Sequence, residues 1–142
     1  MRIMSVDYGE ARTGIAVSDR MEMLANPVKV IFEKNTERTV DSIILTAEEL
    51  GAELIIVGLP INMDGSEGER AKRSREISDM IAEKTKIPVE LWDERGTTKT
   101  ASVYMNILDR KGAKRKKNID AAAAAIILES YLQYRKNLNL TD

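Results

Sequence analysis

Two short apolar runs joined by a polar, glycine-containing turn begin the chain, and they limit the possible folds more than any other stretch. The first run, residues 3–6, leads directly into Asp7, and the second is residues 15–17. This pattern predicts a β-hairpin whose first strand ends at Asp7. Aspartate is depleted in strands because its short side chain competes for backbone hydrogen bonds. Two explanations of Asp7 are open, since Asp-x-Gly starts a tight turn and a rigidly held carboxylate can bind a metal.

Short apolar runs alternate with segments of helical periodicity along the rest of the chain. Residues 25–32 predict a third strand, at a sheet edge because of Pro27. Residues 54–58 are fully apolar, which is typical of a strand buried on both faces and parallel to its neighbours. The other predicted elements are a helix from Asn35 or Thr36 to Gly51, a helix from a Ser66–Glu69 capping box to about Lys84, a strand over residues 89–92, a helix from Thr97 or Thr98 to Gly112 and a last helix from residue 119 or 120.

This order of elements predicts an α/β fold. An antiparallel hairpin followed by β-α-β crossovers gives a mixed sheet with helices on both faces. The chain has 142 residues, which suits one domain with a single core. We therefore expect residues 1–142 to form one domain, with a frayed tail over residues 136–142.

The chain contains no histidine and no cysteine. These absences exclude Ser-His-Asp and Cys-His catalysis, zinc helices of the HExxH type and disulfides. The metals that remain are hard cations with oxygen ligands, Mg²⁺ or Mn²⁺. No apolar run is long enough to span a membrane and no signal peptide is visible. We therefore expect a cytoplasmic protein without a membrane partner.

Three acidic positions fall where an open α/β sheet forms its sites, at the carboxyl ends of parallel strands and near a helix start. They are Asp7, either Asp93 or Glu94, and Asp120. Each also has a structural explanation, because aspartate favours helix amino termini and acids are common where a strand ends. Carboxylates that converge repel one another unless a cation lies among them, so together they would indicate a Mg²⁺ site.

Positive charge is concentrated in the second half of the chain. Residues 95–120 carry eight Lys or Arg and two Asp, although the net charge of the whole chain is −1. The run from Arg110 to Lys117, including Lys114 and Arg115, is either a nucleic-acid contact or a solvated connector.

The loop over residues 58–68 is a second candidate for phosphate binding. Its backbone could hold a phosphate at a helix start, although it lacks the P-loop ending. The cations after this loop could also form an exposed helix face paired with nearby acids; they are Arg70, Lys72, Arg73 and Arg75.

Four segments in the same order resemble the YqgF/RuvX family of small RNase H-like proteins. The family is related to Holliday-junction resolvases and described as pre-16S rRNA nucleases. The resemblance covers nearly the whole chain, to about Leu132. Its segments are DYGEARTGIAVSD from Asp7, VGLPINMDGSEG from Val57, DER from Asp93 followed by Thr97 and Thr98, and DAAAAAIIL from Asp120.

The resemblance implies an RNase H-like fold with sheet order 3-2-1-4-5, in which strand 2 is antiparallel. It also implies a Mg²⁺-dependent endonuclease site formed by Asp7, Glu94 and Asp120, and so selects Glu94 over Asp93. Two departures stand out. Gly96 replaces the usual leucine beside Glu94, and the fourth strand, which often carries the second acid in the wider superfamily, ends in Gly58-Leu59-Pro60.

We therefore predict a metal-dependent endonuclease that cleaves structured RNA or DNA. On the resemblance, its reaction would be 5′-end processing of pre-16S rRNA in ribosome biogenesis, or Holliday junction resolution. The alternatives are a non-catalytic nucleic-acid-binding module of the same fold and, more remotely, an ATPase-like domain with an Asp-x-Gly phosphate loop. A homodimer is a possible assembly. The predicted phosphate contacts are Arg12, Asn62, Arg70, Arg95, Lys114 and Arg115.

Overall fold

The computed structural model describes residues 1–96 and 116–140, and it describes only the backbone of residues 96, 116–120 and 140. Within this part, one five-stranded sheet is built from β1 (Ile3–Asp7), β2 (Arg12–Ser18), β3 (Ala25–Phe32), β4 (Leu54–Leu59) and β5 (Val89–Asp93). The strand order is β3-β2-β1-β4-β5. Strand β2 is antiparallel to β1 and β3, whereas β1, β4 and β5 are parallel. The predicted order and the antiparallel second strand are confirmed.

Helices cover both faces of the sheet, as predicted. They are α1 (Thr36–Leu50), α2 (Glu69–Lys84) and α3 (Lys116–Leu140), and a short 3-10 helix, Glu94–Gly96, follows β5. In α1, the Asn35 side chain caps the helix by accepting the Arg38 N–H, and Gly51 ends it in the left-handed region with φ of 68°. The helix predicted between Thr97 and Gly112 lies outside the described residues. No helix in the described ranges is both long and apolar enough to cross a membrane.

Two local predictions are wrong. Gly68 is the N-cap of α2 and makes no side-chain capping bond. Ser66 cannot form the predicted capping box with Glu69 because its hydroxyl donates to Asp64 at 2.6 Å. Helix α3 begins at Lys116, before the predicted start at residue 119 or 120, and continues through residue 140. The frayed tail expected over residues 136–142 stays a prediction. Arg135, just before that stretch, donates to Glu22, which ties this part of the helix to the turn between β2 and β3.

Strand residues alternate between two cores, one on each face of the sheet. Met4 and Val6 pack against α1 and α2, whereas Ile3 packs with residues of α3. Ser5 points the same way as Ile3, since its hydroxyl donates to the Ala124 carbonyl at 2.6 Å. All six residues of β4 are buried, as a strand covered on both faces requires. The alternation places Asp7 on the α3 face, in step with residues 3 and 5.

Four alanines let α3 lie close to the sheet. Residues 121, 122, 124 and 125 are all alanines with no exposed surface. Their small side chains bring the helix backbone within reach of the Ser5 hydroxyl.

A cluster around Glu22 fixes the direction of α3. The Glu22 carboxylate accepts hydrogen bonds from the Met1 ammonium at 2.9 Å and from Arg135 at 2.5 Å. Met1 precedes β1 and Arg135 lies near the end of α3, so the helix runs antiparallel to β1. The beginning of α3 therefore lies at the carboxyl end of β1, where Asp7 is.

Glu22→Gln is expected to lower the free energy of unfolding at neutral pH by about 1 kcal/mol, the scale of a partly exposed charged hydrogen bond. The Arg135 hydrogen bond lowers the pKa of the Glu22 carboxyl below its ordinary 4.5. The stabilisation is therefore complete above the unfolded-state pKa and is lost as the pH falls through the folded-state pKa. Urea unfolding followed by the fluorescence of the single tryptophan, at pH 7 and about pH 3.5, measures it.

Glu83→Gln, on the exposed surface of α2, is the matched control, and it should change stability little at either pH. A loss for Glu22→Gln that is equal at both pH values would contradict this role of the carboxylate.

Candidate active site

Asp7 and Gly58 are neighbours at the carboxyl-end edge of the sheet. In the parallel ladder of β1 and β4, Val6 pairs with Val57, so the next step of the same register places Asp7 beside Gly58. Neighbouring strands lie about 4.8 Å apart. On its other side Asp7 pairs with Gly14 of β2. Both neighbouring strands therefore carry a glycine, which has no side chain, at the level of Asp7.

The Glu94 carboxylate occupies the space above Gly58. A Cβ at Gly58 would lie 3.0 Å from Glu94 Oε2 and 2.7 Å from Ile127 Cδ1. Ile127 belongs to α3, so the carboxylate lies on the α3 face, the face that carries Asp7. An acid from the end of β5 thus reaches the place that a side chain of β4 would take. Glu94 thus occupies the position of the acid that β4 lacks.

Contacts between β5 and α3 hold the end of β5 in place. The Trp92 indole N–H donates to the Ser130 hydroxyl at 3.3 Å, and its ring packs edge-on against Tyr131 with centroids 5.2 Å apart. The Tyr131 hydroxyl donates to Glu90 at 2.6 Å. Burial, together with this hydrogen bond to Glu90, raises the pKa of Tyr131 to about 12, so the hydroxyl stays protonated and keeps donating. Residues 90 and 92 are thereby fixed on the face toward which Glu94 also points.

Asp93, the alternative to Glu94, is committed to another interaction. Arg95 donates to its two carboxylate oxygens, with distances of 2.8 Å and 3.0 Å to Oδ2 and 3.3 Å to Oδ1. These hydrogen bonds lower the pKa of the Asp93 carboxyl. The geometry therefore favours Glu94 as the acid that faces β4.

Asp120 lies in the first part of α3, one helical turn before Ala124. The Ala124 carbonyl contacts Ser5, two residues before Asp7. Four helix residues rise about 6 Å and two strand residues about 6.6 Å. Because α3 is antiparallel to β1, the Asp120 backbone comes level with Asp7. The Asp120 side chain itself is outside the described part.

The ligand atoms that the described side chains offer are of the type that a hard cation prefers. Asp7 and Glu94 supply only oxygen, on adjacent positions of one face, as Mg²⁺ or Mn²⁺ requires. Among the residues whose side chains are described, no group of three acids, histidines or cysteines is arranged to hold a metal. The third predicted ligand, Asp120, is not among those side chains.

Three of the predicted phosphate contacts surround one cavity beside Glu94. Asn62, Arg70, Glu94 and Arg95 line this space of about 540 Å³. The loop before α2 that carries Asn62 is closed by its own hydrogen bonds, since the Asn62 N–H donates to the Ser66 carbonyl at 2.9 Å and the Asn62 amide to the Ser66 hydroxyl at 3.0 Å. These hydrogen bonds hold the loop that forms one side of the cavity. Arg95, which also lines the cavity, is hydrogen-bonded to Asp93.

The other predicted contacts are more scattered. Arg12, at the start of β2, lies with its guanidinium 5.9 Å from the centre of the Phe32 ring. Arg12 is on the face that carries Asp7, because it is two residues from Gly14, the partner of Asp7. Lys114 and Arg115 are outside the described residues.

The roles of Gly58 and Trp92 were not predicted from the sequence. A glycine inside an otherwise fully apolar strand was the available signal for Gly58, because it often marks a close approach of another group. Trp92 gave no such signal, since a tryptophan in a strand is ordinary core material.

Known proteins resemble this chain over nearly its whole length. A family model described as "RuvX: Holliday junction resolvase" matches residues 1–134. A protein of Halothermothrix orenii, named "Putative pre-16S rRNA nuclease", is 42% identical over 139 residues, which cover 98% of this chain and 99% of that protein. A protein of Clostridium novyi with the same name is 36% identical over 132 residues, which cover 93% of this chain and 98% of that protein.

Two solved structures share the fold. The RuvC structure of Thermus thermophilus has a TM-score of 0.63 at 14% identity and covers 95% of this chain and 97% of that one. The Holliday junction resolvase of fowlpox virus has a TM-score of 0.59 at 14% identity and covers 94% of this chain and 99% of that one. The predicted RNase H-like fold is confirmed.

Gly58→Ala is expected to displace the Glu94 carboxylate and so to lower any activity that depends on it. The stability loss should be of order 1 kcal/mol, at the low end for overpacking, because both obstructing atoms are side-chain ends that can move. Thermal unfolding and a cleavage assay measure the two effects separately.

The double variant Gly58→Ala/Ile127→Val separates packing from positioning. Valine lacks the Cδ1 atom that meets the new methyl group, so stability should partly recover, while the contact with Glu94 remains and activity stays low. Ile127→Val alone, which removes Cδ1 without adding a methyl group beside Glu94, is the matched control and should keep activity near the wild type. Full activity in the Gly58→Ala variant would show that the Glu94 position is not critical.

Proposed function

We propose a nuclease activity for this chain because it belongs to the RuvX Holliday junction resolvase family. The activity in this proposal is metal-dependent endonucleolytic cleavage of structured nucleic acid by a single RNase H-like domain in the cytoplasm. The observation that carries it is the placement of the Glu94 carboxylate above Gly58, beside Asp7 and on the same face. Two acids at adjacent positions would repel each other, and a bound cation removes that cost.

Asp7, Glu94 and Asp120 would hold Mg²⁺ or Mn²⁺ in this proposal. When bound, the metal would activate water and stabilise the leaving oxygen of a phosphodiester. Asp7 is the last residue of a central strand, where it pairs with Gly14 of β2 and directly follows the Val6–Val57 pair with β4. Glu94 is positioned by β5, and Gly58 leaves the room that its carboxylate needs.

The neighbouring polar residues would bind and orient the phosphodiester. Asn62 and Arg70 line the cavity beside Glu94, and an amide and a guanidinium both donate hydrogen bonds to phosphate oxygens. Arg95 would contribute charge while it remains paired with Asp93. Arg12, on the face that carries Asp7, would contact the nucleic-acid strand on the other side of Asp7 and Glu94. Lys114 and Arg115 would add positive charge near Asp120.

The preferred substrate in this proposal is the 5′ region of pre-16S rRNA. The relatives that match over nearly their whole length are named for pre-16S rRNA cleavage, and the 5′ region is the finer part of this proposal. The family description instead names Holliday junctions, so a four-way DNA junction is the second substrate to test.

Asp7→Asn is expected to reduce Mg²⁺-dependent cleavage by at least about 100-fold, because a metal-bound reaction draws several kcal/mol from its ligands. The fold should persist, since the substitution removes charge without changing size. The assay uses a labelled RNA spanning the mature 5′ end of 16S rRNA and a four-way DNA junction, each with Mg²⁺, with Mn²⁺ and with EDTA.

The matched control is Asp79→Asn, an exposed acid on α2, which should cleave like the wild type. Undiminished cleavage by Asp7→Asn would remove Asp7 from the mechanism. Salt-sensitive binding of both nucleic acids, with no cleavage by the wild type under any metal, would instead support the non-catalytic binding module.

A further inference from the structure

Three cavities that share lining residues lie next to one another and mark a track along the carboxyl-end edge of the sheet. The first is the cavity beside Glu94, which Arg70 also lines. The second, of about 420 Å³, shares Glu69 and Arg70 with it and extends to Tyr8 and Arg73. The third, of about 440 Å³, shares Arg73 with the second and extends to Lys34. We call the second and third cavities together the Arg73 cleft.

The Arg73 cleft lies on the opposite face of the sheet from the acids. Tyr8, which lines it, packs in the core formed with α1 and α2, whereas Asp7 points toward α3. A nucleic-acid strand that follows the track therefore passes from Glu94 over the start of α2 to the segment before α1. Arg70 and Arg73 are three residues apart on α2, so their side chains are neighbours, with Cβ atoms about 5 to 6 Å apart.

Arg73 makes only long polar contacts within the fold. Its guanidinium reaches the hydroxyls of Tyr8 and Thr36 only at 3.4 Å each and the carboxylate of Glu76 at 3.5 Å. Its buried Nε has no hydrogen-bond partner among the described residues. Good charge-assisted bonds are about 2.7 to 2.9 Å long.

Arg75, two residues further along the same helix, shows the contrast. It donates to both oxygens of Glu67 at 2.7 Å. Arg75 is therefore used by the fold, whereas Arg73 keeps hydrogen-bonding capacity for a ligand. An oxygen anion is the ligand that a guanidinium with spare donors binds best.

We propose that Arg73 and Lys34 bind one backbone phosphate of the nucleic-acid substrate in the Arg73 cleft, on the far side of Arg70 from the acids. This rests on the proposed function, because it treats the cleft as the continuation of the cleavage site. Lys34 is exposed and lines the same cavity as Arg73. The cleft is a substrate-binding site and takes no part in the reaction itself.

The acids of the cleft restrict what it can bind. Glu10 and Glu69 line it together with Lys34, Arg70 and Arg73, which leaves a single excess positive charge. That balance suits one phosphodiester better than the several charges of a nucleoside triphosphate. Glu10 lies beside Arg73, and its removal should therefore strengthen phosphate binding.

Arg73→Gln tests the subsite through the salt dependence of binding. The probes are the pre-16S RNA fragment and the four-way DNA junction, each labelled and titrated in EDTA at four salt concentrations. Loss of one phosphate contact should raise Kd roughly 5- to 10-fold and reduce the slope of log Kd against log salt by about 0.7 to 0.9. With Mg²⁺ present, KM for cleavage should rise while kcat changes little.

Three further variants complete the test. Arg75→Gln removes the same charge from the same helix and should leave Kd and slope near the wild type. Lys34→Gln, on an exposed segment where folding is not at risk, should act in the same direction as Arg73→Gln. Glu10→Gln should lower Kd. Thermal melting confirms that each variant is folded.

Because binding is measured in EDTA, this test does not depend on cleavage. A wild type that binds both probes without cleaving them, with the predicted loss for Arg73→Gln, would support the subsite and count against the nuclease. Equal losses for Arg73→Gln and Arg75→Gln, or an unchanged Arg73→Gln, would overturn the subsite. So would a result in which Arg73→Gln weakens ATP binding, measured by thermal shift, but leaves nucleic-acid binding intact.

Discussion

The close approach of α3 to the sheet is the interaction on which the rest of the structure depends. Ala124 and its alanine neighbours are fully buried, and Ser5 bonds directly to the helix backbone. A larger side chain in the alanine run would lift the helix and break this contact. The same approach brings Ile127 against Gly58 and Trp92 against α3, so the position of Glu94 follows from it.

Much of the fold could be predicted from local patterns. The fully apolar β4 and the Asn35 and Gly51 ends of α1 depend on short-range chemistry that a sequence displays directly. Sheet order does not, because no local feature says that β4 lies beside β1, and it came from the family resemblance. The Ser66–Glu69 capping box shows that a local pattern can also mislead. Its spacing was correct, but Asp64 accepts the hydrogen bond of the Ser66 hydroxyl.

The candidate site was less accessible to sequence reasoning than the fold. Strand alternation alone could not choose between Asp93 and Glu94, because it places them on opposite faces without showing which face carries the site. The contact of Glu94 with Gly58 joins residues 36 positions apart in the chain, so no spacing rule reveals it. The four cations after residue 68 looked alike in sequence, and only their partners distinguish Arg75, which is paired with Glu67, from Arg73.

The division of charge between the two faces explains how a chain of net charge −1 could bind a polyanion. Asp7 and Glu94 lie on the α3 face. The Arg73 cleft lies past the edge of the sheet, on the opposite face. Phosphate attraction falls off over about a Debye length, roughly 8 Å at physiological salt, so local cations matter more than the total. A strand crossing the edge would meet Arg70 between the two faces, next to Glu94. Cations on both sides would then hold the phosphate against the repulsion of the acids until a metal neutralises them.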